Sequence, residues 1–147
     1  MKTDVVIVGA GPAGMFAAHE LATKSNLKIT VIDWGPDVAK RKCPAMIYSY
    51  CSKCSPCKIM CGVGGAGTLS SGLLNLRPDI GGNLEEFVSK DEARKIIKEV
   101  DKVFLKYGAP TKIYRANTDQ VESLMRKAAA VGIEFVPIPQ RHIGTDN

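Results

Sequence analysis

The sequence predicts an α/β fold, and three observations predict it. Helix-like and strand-like stretches alternate along the 147 residues, a continuous apolar run (Val5-Val6-Ile7-Val8) ends in glycine, and 45% apolar residues suffice for a modest core.

The stretch from about Asp4 to Val8 reads as a parallel strand buried on both faces. A helix follows. Pro12 suits its first turn, where a missing N–H leaves nothing unpaired, and Phe16, Ala17, Leu21 and Ala22 recur as its apolar face. A second strand, about Lys28 to Ile32, closes a βαβ unit within residues 1–35. From Gly35 to Gly82, Gly, Pro, Cys and Ser accumulate without amphipathic period, so residues 36–82 read as a long Cys/Gly-rich loop or several short pieces, ordered by something bound.

Ser89 and Glu92 form a capping box for a helix whose stripe is Ala93, Ile96, Ile97, Val100, Val103 and Phe104, stopped by Gly108. Another helix begins near Asn117 with Gln120 three residues on, buries Val121, Leu124, Met125, Ala128 and Ala129, and ends at Gly132. A strand over about Ile133 to Val136 completes residues 83–147, a helical insertion and strand. Gly144-Thr145-Asp146-Asn147 reads as the start of a further element.

The net charge of +5 is spread among Asp and Glu on helical faces and implies solvated surface rather than a nucleic-acid footprint. No apolar stretch approaches the ~20 residues of a membrane helix, so the expected setting is the cytoplasm, where the cysteines are reduced.

The turn Gly9-Ala10-Gly11-Pro12-Ala13-Gly14 fits G-x-G-x-x-G. Gly9 allows the tight turn off the strand, Gly11 lets the backbone approach a pyrophosphate, and Gly14 lets helix and strand pack closely. The helix start presents unpaired N–H groups to the diphosphate. Asp33, about 20 residues past the last glycine, suits the hydroxyls of an adenosine ribose and would repel a 2′-phosphate. Trp34 joins it as a candidate cofactor-binding residue. The architecture expected is thus a partial Rossmann-like βαβ unit with a Cys/Gly-rich loop and two further helices. Spacing alone does not choose between NAD and FAD.

Cys51, Cys54, Cys57 and Cys61 read C-x2-C-x2-C-x3-C, the spacing of a ferredoxin run, and Cys43-Pro44 lies upstream. An iron–sulfur cluster on Cys51, Cys54, Cys57 and either Cys43 or Cys61 is one reading; a closed zinc site and dithiol or disulfide chemistry are the others. Arg41 and Lys42 are placed to meet a phosphate-bearing cofactor, and Gly64, Gly65, Ala66, Gly67 and Thr68 to bring backbone N–H groups towards it. His19 reads as a surface or packing residue, and His142, beside Arg141 and Thr145, as a candidate neighbour of flavin or substrate.

The run Asp4 to Gly14 resembles the opening of the glutathione-reductase-like two-dinucleotide-binding flavoproteins, which implies that this site takes the ADP half of FAD. Arg41-Lys42-Cys43-Pro44, the cysteines, Gly64-Gly65-Ala66-Gly67 with Leu74-Asn75, and Gln140 to Asp146 are similar to a family of FAD-dependent dehydrogenases. Ser71 and Leu73 stand where that family tends to carry Asp and Lys. Its members are considerably longer, so the resemblance implies that residues 1–147 are the amino-terminal part of an FAD-binding domain of a flavin-dependent oxidoreductase. Two other functions compete: a noncatalytic cofactor-binding subunit or remnant, completed by a second polypeptide or by self-association, and a thiolate-metal module.

Overall fold

A computed structural model describes residues 2–70, 72–114 and 118–144. Ser71, Asn117 as a helix start, and the closing Thr145, Asp146 and Asn147 lie outside the described residues. The chain forms two compact units, Met1–Ser70 and Ser71–Asn147. Their boundary falls inside the Cys/Gly-rich segment 36–82.

In the first unit, β1 (Val5–Val8) and β2 (Ile29–Ile32) pair in parallel, with Val5 opposite Ile29 and Val8 opposite Ile32. Between them runs α1 (Pro12–Lys24), with proline in its first turn as expected. The Asp4 carboxylate accepts from the Lys28 N–H at 2.7 Å and so fastens the start of the second strand to the first. Together these elements make a mixed α/β unit with a small parallel sheet, compatible with the partial Rossmann-like unit that the sequence predicts.

Burial corrects two expectations here. β1 is not covered on both faces: Val5 and Ile7 are half-buried, while Val6 is 52% and Val8 81% exposed. The reason is that α1 covers a single side of the two-stranded sheet, so alternate residues face outwards. Along α1, Gly14, Phe16, Ala18, His19 and Leu21 are half-buried, so Phe16 and Leu21 lie where expected, whereas Ala17 and Ala22 are exposed.

The segment after β2 is a series of short pieces: a 3-10 turn at Val38–Lys40, the one-turn helix α2 (Ala45–Tyr48) and a second 3-10 turn at Ala66–Leu69.

The second unit holds an antiparallel pair, β3 (Leu73–Asn75) with β4 (Gln140–His142), and two helices, α3 (Lys90–Lys106) and α4 (Asp119–Ala130). Leu73 faces His142 and Asn75 faces Gln140, and the Gln140 side-chain amide donates to Asn75 Oδ1 at 2.8 Å. Ser89 caps α3 as expected, its Oγ accepting from the Glu92 N–H at 3.3 Å. Ala93 is fully buried, but Ile96 is 39% exposed and leaves the packed stripe. α4 is capped by Thr118, whose Oγ1 accepts from the Val121 N–H at 3.3 Å. Leu124, Met125 and Ala129 of α4 are exposed, against expectation, because no described element covers that face.

The segment Ile133 to Val136 is not a strand. Pro137 and Pro139, which lack N–H donors, follow it directly, and ladder pairing resumes only beyond them. The strand forms instead at Gln140, where Tyr114 adds a bridge with N–H···O distances of 2.8 and 3.0 Å. Arg141 on β4 is 2% exposed; its Nε and Nη2 reach the two Asp101 oxygens at 2.6 and 2.8 Å, and its Nη1 reaches the Pro110 carbonyl at 2.5 Å. None of the described helices is long and apolar enough to cross a membrane.

Candidate functional site

The turn between β1 and α1 has the geometry that its glycines predict. Gly9 sits at φ +98°, a backbone state that L side chains rarely adopt, and its N–H donates to the Ile32 carbonyl at 2.7 Å. A Cβ on Gly14 would fall 1.9 Å from the Gly9 carbonyl oxygen and 3.3 Å from Ile7 Cγ2. Helix and strand therefore touch where only glycine fits. Gly11 is the opposite case, since a Cβ there meets nothing within 4 Å.

The open side of Gly11 adjoins the start of α1. The Met15 N–H bonds to the Gly11 carbonyl at 2.9 Å, whereas Ala13 and Gly14, immediately before it, have no carbonyl behind them inside the helix. Their amides and the partial positive charge of the helix start make a place suited to a phosphate.

Asp33 lies immediately after β2 and turns towards this site. Its Oδ2 accepts from the Ala10 N–H at 2.7 Å and its Oδ1 from the Gly35 N–H at 2.8 Å. The Ala10 N–H chiefly, then that of Gly35, with smaller help from the Gly62 N–H and the Arg41 charge, hold its carboxyl below the usual carboxylate range against the opposing cost of desolvation. Sequence reasoning missed the bond to Ala10, because a backbone donor leaves no mark in residue type. Trp34, next in the chain, is 78% exposed.

The glycine loop does reach the turn. The Gly64 N–H donates to the Ala10 carbonyl at 2.8 Å, and a Cβ on Gly65 would lie 3.0 Å from Gly11 Cα and 3.1 Å from Pro12 Cδ. Ala66, Gly67 and Thr68 continue from it as a 3-10 turn, Thr68 half-buried and the other two exposed.

Arg41 has a different place from the phosphate contact expected of it. It is 4% exposed, and its Nε and Nη1 donate to the carbonyls of Lys58 and Val63 at 3.0 and 2.8 Å while Nη2 donates to that of Ile59. The guanidinium thus gathers the chain after the cysteines. Lys42 is exposed.

Cys43, Cys51, Cys54, Cys57 and Cys61 are free, and among the described residues no group of three or more His, Cys, Asp or Glu side chains is placed to hold a metal ion. The spacing alone does not converge the sulfurs: Cys51 is exposed, while the Cys61 N–H bonds to the Cys57 carbonyl at 2.8 Å in a turn whose backbone is held by Arg41. The Cys57 thiol is pushed below its ordinary range by the N–H groups of Met60 and Ile59, with Arg41 adding to them and desolvation opposing.

His19 is half-buried within α1. His142 belongs to the second unit, where its ring lies 4.2 Å from that of Tyr114.

Residues 3–128 match the family model described as pyridine nucleotide-disulphide oxidoreductase, which is most of the chain. No curated protein and no solved structure matches.

Proposed function

We propose a function from one premise: the chain belongs to the pyridine nucleotide-disulphide oxidoreductase family. Membership implies a flavin- or NAD(P)-binding oxidoreductase domain. Within that class, the turn at Gly9 to Gly14 takes the ADP half of FAD. The observation that carries this reading is the open space beside Gly11, set against the amino end of α1 while Gly14 closes the helix onto the strand.

The Gly11, Ala13 and Gly14 backbone faces the diphosphate, with the loop at Gly64 and Gly65 behind it. Each Asp33 oxygen already holds one backbone N–H and keeps a further lone pair for a ribose hydroxyl. Trp34 offers an exposed aromatic face beside that sugar. When bound, the flavin supplies the hydride or electron transfer, and the protein supplies binding and orientation.

The exposed apolar positions Val6, Val8 and Ile32 on the small parallel sheet support a second element of the reading. A two-stranded sheet is marginal by itself, so further strands, from a longer chain or a partner, complete it in the working oxidoreductase.

The test is FAD uptake by the purified chain, followed by quenching of flavin fluorescence. Gly11 has φ −73° and open space, so Gly11→Val is compatible with the fold and fills only the vacancy. Uptake should weaken by at least about a hundredfold, with circular dichroism unchanged. Equal uptake by a folded Gly11→Val chain would remove this assignment.

A further inference from the structure

The second unit contains a cleft of about 680 Å³ that the cofactor reading does not use. Its volume is that of a small-molecule site. We propose that this cleft binds an amphipathic organic anion, a carboxylate or phosphate ester carrying an apolar body, through Lys90, Arg94 and Lys98 at its rim and Leu76, Ile97 and Ile113 in its wall.

The placement follows from helical spacing. Lys90, Arg94 and Lys98 stand at i, i+4 and i+8 on α3, and Ile97 lies between them, so one stripe of the helix delivers three cations and an apolar side chain to the same opening. The column spans about 12 Å. Like charges at i, i+4 are unfavourable on a free helix, and a cation in the first turn opposes the helix dipole. An anion in the cleft relieves both.

The acids of the cleft leave this cationic balance in place. Asp79 is engaged by Arg77, whose Nε and Nη2 reach its oxygens at 2.9 and 2.5 Å. Asp101 is engaged by the buried Arg141, which lies behind the wall. Glu85 then stands against the three rim cations. Lys90 also acts on Asp79, helping to hold its carboxyl below the usual range. Asp91 approaches Arg94 only to 3.9 Å, and its side chain is 97% exposed, away from the interior. Among the described residues, Lys98 forms no ion pair. The cleft thus presents an apolar wall below a partly unneutralised rim, a combination that favours a ligand with a charged head and an apolar body over a bare ion or a neutral hydrocarbon.

The test uses the full chain and 1-naphthyl phosphate as probe, with 1-naphthol as its uncharged counterpart, both followed by their own fluorescence. Saturable binding of one naphthyl phosphate per chain is expected, with naphthol weaker by about tenfold or more, and Arg94→Gln and Lys98→Gln each weakening the phosphate by about three- to tenfold. Lys98 is exposed, so its variant folds as the parent does. Because a phosphate can also meet the turn in the first unit, Gly11→Val is the control, and binding there should be unchanged. Absence of saturable binding, equal binding of phosphate and naphthol, indifference to both rim variants, or loss in Gly11→Val alone would each overturn the proposal. FAD uptake is measured on the same variants and should be untouched by the rim substitutions, so failure of the cofactor reading and failure of this one are distinct results.

Discussion

Gly14→Ala is the sharpest perturbation of the first unit. The added methyl would lie 1.9 Å from the Gly9 carbonyl oxygen and 3.1 Å from its carbon, and both neighbours are backbone. Relief therefore requires α1 to move off β1 by more than about 1 Å, which a packed interface resists. Overpacking of this kind costs about 1–3 kcal/mol, and here the upper part of that range applies because no side chain can rotate away. The helix-propensity gain of alanine over glycine returns at most about 1 kcal/mol, leaving a net loss of about 2 kcal/mol. With urea slopes of about 1–3 kcal/mol/M, the midpoint should fall by about 1 M. Gly11→Val, three residues away, meets nothing and should lose at most about 1 kcal/mol, from a poorer helix cap. Urea unfolding followed by circular dichroism gives the midpoints, and hydrogen exchange at the Gly9 amide, bonded to Ile32, assigns the loss to the first unit. A Gly14→Ala midpoint equal to that of the parent, or an equal loss in Gly11→Val, would refute the packing argument.

Two further outcomes test the polar framework. The folded-state pKa of Asp33 lies below its unfolded value, chiefly through the Ala10 N–H, so its contribution is complete above about pH 4 and is lost as pH falls through the depressed folded value; urea midpoints taken from pH 5 downwards should drop more steeply for the parent than for Asp33→Asn, and parallel curves would contradict the assignment. Asp101→Asn leaves the buried Arg141 guanidinium without its carboxylate and should destabilise the second unit by about 3 kcal/mol, whereas Glu99→Gln, at the exposed pair with Lys102, should change it by less than about 0.5 kcal/mol; comparable thermal melting of the two variants would show that burial does not govern the pair.

Residue type reveals what local rules control and hides what depends on distant partners. The glycine turn, the helix start at Pro12, the second strand ending before Asp33 and the Ser89 cap are all legible, because each is decided within a few residues by sterics or a single hydrogen bond. Ladder pairing of Leu73-Leu74-Asn75 with Gln140-Arg141-His142 is not, since neither triplet alternates apolar with polar and their partnership spans most of the second unit. Ile133 to Val136 misleads for the reverse reason: β-branched and aromatic residues read as a strand, yet the prolines behind them interrupt the ladder. At the site, Gly9, Gly11 and Gly14 declare their mechanical uses, while the fate of Arg41 is invisible. A basic residue beside another reads as a phosphate contact; only the fold shows three carbonyls converging on it.

That convergence explains how a small unit can hold its turn ready. Among the described residues, the fully covered apolar side chains are alanines, Ala10, Ala93 and Ala109, whereas the buried large side chains are Arg41 and Arg141. Close polar contacts therefore take over much of the ordering that big apolar groups perform in a larger core. In the first unit they meet at a single residue. The Ala10 N–H is taken by Asp33 and its carbonyl by the Gly64 N–H, while Arg41 holds the adjoining Val63 carbonyl. Ala10 is thus clamped from the β2 side and from the glycine loop, one residue before the open position at Gly11. A ligand bound there, as proposed, would meet amides already aimed, and little of its binding free energy would be spent on ordering the chain. The same clamps tie the long segment after β2 to the turn, although among the described residues no three of its cysteines are gathered to hold a metal ion: the segment backs the turn, and Arg41 is the side chain that keeps it there.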